Sequence, residues 1–288
     1  MKVPWLRLLV LLFLLGGAAL TGARAEVRAF EVPPQICHLH KSDTPDPFPW
    51  GRIASPNVSN LLNEDGDQRG DGWPSFDINP GTHEAECTWS YNDGSTYRIA
   101  FSETADGLWV PITFLTTPST SEQDPQIAHN SAGGTRIVYW AGDTDPTVYM
   151  IERQTDASPW SAPRQVSHGN RPSRYPTAAV AYGKVHVGYE ATAQQGKDII
   201  ISGRDDLNEN APFVAEVIAH TSYTGELDVI LETLGGKAWV IWVHSGGQIG
   251  YSVFGGTMWA TPQFRTYSDP SEIEAIRHQI RNEILAQQ

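Results

Sequence analysis

The 288-residue sequence has few charged residues, and basic ones are especially scarce. Charged residues make up 18% of the chain, with 20 Lys and Arg against 33 Asp and Glu, which gives a formal net charge of −13. The shortage of basic residues argues against a nucleic-acid-binding patch and against attraction to an anionic membrane. The low charged fraction argues against a coiled coil, a helical bundle and an acidic disordered chain.

Several sequence motifs that identify common enzymes are also missing. The chain has no Gly-rich phosphate-binding loop, no GxSxG nucleophile elbow and no HExxH metal-binding motif. The residues that are abundant are 26 Gly, 20 Pro and 10 Trp. Turn-forming residues together with large aromatic ones are typical of many short strands, so the composition predicts an all-β protein.

The first 25 residues have the layout of a secretory signal peptide. Lys2 and Arg7 are followed by a run of apolar residues and then by a small-x-small ending at Ala23–Ala25. The apolar run is shorter than the roughly 18 residues that a membrane span needs, which favours a cleaved signal over a membrane anchor. We therefore expect a secreted or periplasmic protein with no membrane attachment after cleavage.

Only two cysteines are present, Cys37 and Cys87. In an exported protein two thiols favour a disulfide, and this one would close a loop of about 50 residues, worth up to roughly 4 kcal/mol. The alternative is a zinc site, because His38 and His40 follow the first cysteine and His83 precedes the second. On an extended strand His38 and His40 would point to the same face, but two polar loop residues beside Cys37 are the favoured interpretation.

A second possible metal site is an acidic, Gly-rich segment that contains Asp65, Asp67 and Asp71. Carboxylates at alternate positions can bind Ca²⁺. The spacing departs from that of an EF-hand after Asp67, however, and Phe76 stands where such a loop needs Glu. A solvated acidic turn is favoured, and we expect no cofactor, with Ca²⁺ or Zn²⁺ as the alternatives.

The main part of the chain repeats with a period of about 51 residues. The markers that recur at intervals of 51 are Pro74, Pro125 and Pro176; Trp89 and Trp140; and Trp109 and Trp160. In the second unit, four short apolar segments at 126–129, 136–140, 148–151 and 160–166 are separated by turn residues. Four strands in each unit of this length predict the blades of a β-propeller over residues 74–268.

The fourth unit shows how such blades would pack. Residues 238–243 are apolar at every position, as expected for a strand covered on both faces by neighbouring sheets. Large aromatic residues on equivalent strands would fill the space between blades. The residues expected in this role are Trp89, Trp109, Trp140, Trp160, Trp242 and Trp259.

Two turns after the third strands carry a degenerate motif. The first contains Asp106, Gly107 and Trp109 followed by Pro111, and the second keeps Asp156 with a Trp and a Pro after it. This pattern resembles the Ser-x-Asp-x-Gly-x-x-Trp turn of the sialidase-like, Asp-box β-propellers, although the Ser of the first turn is two residues too far away. The resemblance implies a propeller fold over residues 74–268, and it raises the possibility of a sialidase-like enzyme.

A sialidase active site is not expected from the motifs. In that family three Arg bind the substrate carboxylate, and the first belongs to a Phe/Tyr-Arg-Ile-Pro motif. Residues 97–100 resemble it but lack the Pro, and the period places Arg98 on a third strand where the family has the motif on a first strand. The catalytic residues, if there are any, are unknown from the sequence.

The two ends of the chain differ from the repeats. Residues 26–73 are expected to contribute closing strands, which would give five blades or an incomplete propeller. Residues 269–288 predict an amphipathic helix, with a capping box at Ser271 and Glu274 and isoleucines at helical spacing: Ile273, Ile276, Ile280 and Ile284. We expect this helix to pack on the propeller, and a homodimer contact is the alternative.

These features predict a secreted, non-catalytic β-propeller that binds a glycan or protein ligand at one face. The alternative is a sialidase-like glycan hydrolase or lyase, and a third possibility is an interaction module that uses the C-terminal helix.

Overall fold

The computed structural model describes residues 72–105, 108–117, 120–169, 171–221, 227–244 and 246–286. They all lie within one compact unit of the chain. They form 17 β-strands, a short 3-10 turn and one α-helix. The prediction of an all-β fold with a C-terminal helix is confirmed.

The strands form four antiparallel sheets, which we call blades 1 to 4. Blade 1 contains β1 (Gly72–Ile78), β2 (Ala85–Asn92), β3 (Tyr97–Ala105), β4 (Leu108–Trp109) and β5 (Thr113–Phe114). Blade 2 contains β6 (Glu122–His129), β7 (Thr135–Ala141), β8 (Thr147–Arg153) and β9 (Arg164–Gln165). Blade 3 contains β10 (Ser173–Ala181), β11 (Lys184–Thr192), β12 (Lys197–Asp205) and β13 (Val214–Thr221). Blade 4 contains β14 (Ile230–Leu234), β15 (Lys237–His244), β16 (Gln248–Val253) and β17 (Gln263–Thr266).

Within each blade the strands pair in sequence order, with the short β5 pairing to β3. The first strands of consecutive blades contact one another, β1 with β6, β6 with β10 and β10 with β14. These first strands therefore surround a common axis, as in a propeller. The four-stranded repeat is confirmed. Of residues 26–73, which were expected to contribute closing strands, the structure describes only Gly72 and Trp73, and these two begin β1.

Apolar clusters fill the spaces between neighbouring blades. Phe101 of blade 1 packs with Ile137 and Tyr139 of blade 2, and Trp160 lies against this cluster. Residues 138, 140, 148 and 150 of blade 2 cluster with residues 185, 187 and 189 of blade 3. Blades 3 and 4 are joined by a cluster that contains Ile199 and Trp242. Because side chains alternate along a strand, each blade buries apolar residues on both faces.

Four of the six tryptophans expected between blades lie in these joining clusters: Trp140, Trp160, Trp242 and Trp259. The other two, Trp89 and Trp109, are buried with Cys87 and Ala100 of their own sheet. That cluster lies on the face of blade 1 opposite to blade 2, because Ala100 alternates with Ile99 and Phe101, which face blade 2.

The indole of Trp242 determines which residue can stand next to it on β16. A Cβ built on Gly250 would come within 2.3 Å of the Cε2 atom of Trp242. Such a distance is far inside van der Waals contact, so only glycine lets the fully buried indole lie flat against the neighbouring strand.

The C-terminal helix, α1 (Ile273–Ala286), covers the face of blade 4 that points away from blade 3. Ile280 and Ile284 pack with Trp239, Ile241 and Tyr251, which alternate with the residues that face blade 3. Among the described residues, no helix is long and apolar enough to cross a bilayer.

The helix begins with a different cap from the one expected. Asp269 Oδ1 accepts a hydrogen bond of 2.8 Å from the backbone N–H of Ser271, and Glu272 Oε2 accepts one of 2.8 Å from the N–H of Ser268. The predicted capping box of Ser271 and Glu274 is therefore wrong by two residues. Glu274 instead pairs with Arg277, at 2.7 Å.

Candidate functional site

Four residues at or just before the start of the first strands share an unusual backbone conformation. They are Trp73 with φ of 47°, Asp124 with φ of 54°, Tyr175 with φ of 52° and Asp228 with φ of 48°. None is glycine, and they occupy the same position in consecutive blades. We call them the axial residues, and we call the end of the blades at which they lie the upper end.

A left-handed conformation is strained for residues other than glycine, above all for Trp and Tyr, and costs of order 1–3 kcal/mol at each position. The register between the first and second strands shifts at the axial residue in blades 1, 2 and 3. Each of these shifts marks a β-bulge, which re-aims side chains. The proline that recurs at intervals of 51 in the sequence directly follows the axial residue in the same three blades.

An aromatic ring lies against one of the two axial aromatic residues, and a basic side chain lies near the ring of the other. The rings of Trp73 and Tyr97 meet edge to face, with centroids 5.6 Å apart. In blade 3, Lys197 Nζ lies 6.0 Å from the ring centroid of Tyr175 and also pairs with the carboxylate of Glu190. Tyr97 and Lys197 are each the first residue of the third strand of their blade. Equivalent positions therefore contact the axial residue in blades 1 and 3.

A buried carboxyl group lies close in sequence to the axial aspartate of blade 2. Glu122 accepts hydrogen bonds from the backbone N–H of Ile99, at 3.3 Å, and from the hydroxyl of Thr116. Burial raises the pKa of Glu122 to about 7, against the lowering effect of these hydrogen bonds. The group is therefore partly protonated near neutral pH. These hydrogen bonds hold the carboxyl group of Glu122 between blades 1 and 2.

The axial aspartate of blade 4 is held by the C-terminal helix. Arg277 Nη2 lies 2.6 Å from Asp228 Oδ2 and donates a hydrogen bond of 3.0 Å to the backbone carbonyl oxygen of Asp228. The segment just before Asp228 is tied to blade 3, because the N–H of Leu227 donates to Glu190 Oε2 at 3.0 Å.

The opposite, lower end of the blades contains a partly buried network of charged residues. The ligand atoms of Glu86, Glu103 and Asp156 lie within 4.8 Å of one another, close enough to hold a metal ion. Arg153 Nη2, however, contacts all three carboxylates, at 2.9 Å from Glu86 and 2.9 Å from Asp156. The guanidinium thus already supplies positive charge to the cluster.

His129 extends this network between blades 1 and 2. Its Nδ1 lies 3.0 Å from Asp77 Oδ2 and its Nε2 lies 3.1 Å from Glu86 Oε2. Burial alone would raise the pKa of Glu86, but the hydrogen bond and charge of His129, with help from Asn79 and Arg153, hold it below its usual value.

A second set of ion pairs at the lower end joins blades 2 and 3. Arg136 Nη2 lies 2.7 Å from Asp206 Oδ1, and Arg204 pairs with Glu152. All four side chains are buried. Ion pairs therefore join neighbouring blades at the lower end. The strained axial residues lie at the upper end.

Comparisons with known proteins bear on the fold. No protein-family model matches the sequence, and no curated protein is significantly similar to it. The intramolecular trans-sialidase from Ruminococcus gnavus, solved with oseltamivir carboxylate, has a TM-score of 0.56 and 8% identity over 76% of this chain and 75% of that chain.

The fold is that of a sialidase-like β-propeller. Two further structures are similar at lower scores. Trypanosoma rangeli sialidase has a TM-score of 0.47 and 11% identity over 66% of this chain and 37% of that chain. A thermostable family-43 glycoside hydrolase has a TM-score of 0.48 and 16% identity over 68% of this chain and 75% of that chain. At these identities the similarity shows the fold alone.

Several site residues expected from the sequence fall outside the described part of the propeller: Cys37, His38, His40, Asp65, Asp67 and Asp71. The disulfide and the two metal sites therefore stay predictions. Cys87 is buried on β2.

Arg98, which stands in the sialidase-like segment, lies on β3 of this propeller. Its guanidinium carbon is 3.6 Å from the ring centroid of Phe114 and 5.2 Å from that of Tyr91. The Arg98 guanidinium therefore contacts two aromatic rings of its own blade.

No sequence motif marks the axial residues, although one signal accompanies them. The recurring prolines mark the position immediately after three of the four. The sequence showed the recurrence but gave no sign of the left-handed backbone.

Proposed function

We propose that this propeller binds a glycan at its upper end, in a site formed by the axial residues. The proposal rests on one observation: four equivalent positions bear strained, non-glycine residues that are alternately aromatic and acidic along the chain. A position with a purely structural role would favour glycine at this φ, because glycine adopts it without strain. Strain repeated in every described blade suggests that the side chains are needed.

The residue types suit a sugar ligand. Trp73 and Tyr175 offer flat apolar surfaces with polar edges, and carboxylates accept hydrogen bonds from hydroxyl groups. An aromatic surface with a few well-placed polar groups is the usual composition of a small-molecule site.

The charges at the upper end favour neutral or amino sugars over carboxylated ones. Among the described residues, the ion pairs at this end include Lys197–Glu190, Arg171–Asp198 and Arg277–Asp228. Arg98 and Arg174 lie over aromatic rings. A carboxylated sugar would have to compete with these carboxylates for the cations, in a chain of net charge −13.

Glycoside hydrolysis is the second candidate, favoured by the two axial carboxylates and by the partly protonated Glu122. A carboxylic acid and a carboxylate on either side of a glycosidic bond are the groups that such a reaction uses. Glu122, however, is bonded to Ile99 and Thr116 within the contact between blades. Binding without turnover is therefore our first proposal.

The test is a glycan array that compares wild-type protein with Trp73→Gly and Tyr175→Gly. Glycine suits the backbone at both positions, so the fold should be kept while the aromatic surface is lost. We expect at least about tenfold weaker binding for both variants. Tyr182→Gly is the matched control, because Tyr182 also has a positive φ, of 53°, but lies in the turn between β10 and β11 at the lower end.

Unchanged binding in both axial variants would contradict the proposal, as would a wild-type protein that binds no glycan. Turnover of fluorogenic glycosides that is lost in Asp124→Asn and Asp228→Asn would replace it by the hydrolase. Stronger binding of carboxylated than of neutral glycans would contradict the charge argument.

A further inference from the structure

The C-terminal helix reaches the upper end of the blades through a single buried side chain. Arg277 is only 5% exposed. Its guanidinium contacts both the carboxylate and the carbonyl oxygen of Asp228 through Nη2 and binds Glu274 Oε1 at 2.7 Å through Nη1. The helix therefore holds the side chain and the backbone of one axial residue at once.

Asp228 differs from the other axial residues in the residue that follows it and in what contacts its carbonyl oxygen. In blades 1 to 3 the next residue is a proline, which disfavours helical conformations of the residue before it but does not itself produce a positive φ. Val229 stands at this place in blade 4. There Arg277 Nη2 donates a hydrogen bond to the carbonyl oxygen of Asp228, in the peptide group that leads into Val229.

We propose that Arg277 is a positioning residue of the glycan site: it holds Asp228 in its left-handed conformation and orients its carboxylate toward the ligand. This inference rests on the proposed function. The Asp228 side chain is 50% exposed, so a surface remains open to a ligand while Arg277 contacts Oδ2. On this view the helix completes the site as well as covering blade 4.

The rest of the helix offers a matched control. Arg281, one turn further along, donates from Nε to Glu232 Oε2 at 2.8 Å, and Glu232 lies on β14, just beyond Asp228 in the chain. The two arginines thus tie the same helix to the first strand of blade 4 and the segment that leads into it, but only Arg277 contacts an axial residue. A change in helix anchoring alone should weaken binding in both variants, although less in Arg281→Gln because that side chain is 40% exposed.

The experiment compares wild type, Arg277→Gln, Arg277→Lys and Arg281→Gln in the full chain. Affinity for short xylo- and chito-oligosaccharides is measured by calorimetry, and stability by thermal unfolding. We expect Arg277→Gln to bind about tenfold or more weakly and Arg281→Gln to bind as wild type. Arg277→Lys keeps the charge but not the forked geometry, so it should fold even if the glutamine variant does not, with affinity between the two.

A crystal structure of Arg277→Gln or, if that fails to fold, of Arg277→Lys gives a readout that needs no ligand. We expect Asp228 to leave its positive φ or its carboxylate to turn away. An unchanged Asp228 overturns the inference, as does equal loss of affinity in Arg277→Gln and Arg281→Gln. Wild-type protein that binds no glycan overturns the proposed function, whereas wild-type binding with normal affinity in Arg277→Gln overturns this inference alone.

Discussion

His129 should make the stability of the propeller depend on pH in the alkaline range. Both ring nitrogens face carboxylates, Nδ1 at 3.0 Å from Asp77 and Nε2 at 3.1 Å from Glu86. An imidazole that donates two hydrogen bonds to acceptors must carry both protons, so it is positively charged. Burial would lower the pKa of His129, but the hydrogen bonds and negative charges of the two acids raise it to about 9.

The direction of the effect follows from the two pKa values. The folded protein holds the proton up to about pH 9, whereas the unfolded chain releases it near the ordinary pKa of 6.5. The stabilisation is therefore complete below about pH 6.5 and is lost as the pH rises through about 9. A shift of about 2.5 pKa units corresponds to roughly 3 kcal/mol, and solvent screening at the half-exposed Asp77 reduces this to about 2 kcal/mol.

The assay is the free energy of unfolding by urea at several pH values, for wild type and His129→Gln. We expect wild type to lose about 2 kcal/mol between about pH 6 and pH 10. The glutamine variant keeps a donor but cannot titrate, so its free energy should change less over that range. Parallel pH curves for the two proteins would refute the reasoning. Glu86, whose pKa is lowered, acts in a separate window, with stability lost as the pH falls below about 4.5.

Three further predictions concern packing, the cysteines and the acidic cluster. Gly250→Ala should lower the free energy of unfolding by about 3 kcal/mol, measured by urea titration, because its Cβ would overlap the Trp242 ring. If Cys37 and Cys87 form a disulfide, the exported protein should weigh two hydrogens less than its reduced form, and mass spectrometry with and without reductant decides this. A chelator should not change the melting temperature of wild type, because the Arg153 guanidinium already contacts all three carboxylates of the acidic cluster, whereas Arg153→Met should become more stable on addition of Ca²⁺.

The sequence predicted the blades well because their signal is local and repeated. Residues 238–243 are apolar throughout and lie within β15, and the four segments of the second unit correspond to β6 to β9. Each blade depends on turns between strands that are adjacent in the chain, so a short window of sequence contains most of the information.

The axial conformation could not be predicted in the same way. Trp73 and Tyr175 are residue types that ordinarily avoid a positive φ, and their strain is imposed by the surrounding blade. The lower network is also nonlocal. Glu86 and Arg153 are 67 residues apart, and nothing near either of them in sequence identifies the partner.

The cap of helix α1 could not be assigned from the local capping-box pattern alone. Asp269 and Glu272 have the same spacing as Ser271 and Glu274, so both pairs fit the capping-box pattern. The structure uses the earlier pair, because the 3-10 turn of Pro270–Glu272 already begins to wind the chain ahead of α1.

The helix on blade 4 has a consequence for self-association. The face that it covers presents Trp239, Ile241 and Tyr251, and it belongs to a repeat whose other copies pack sheet against sheet. Without the helix these side chains would form an exposed apolar patch on blade 4, and such patches promote association. A chain cut before Pro270 would therefore be expected to self-associate through this face.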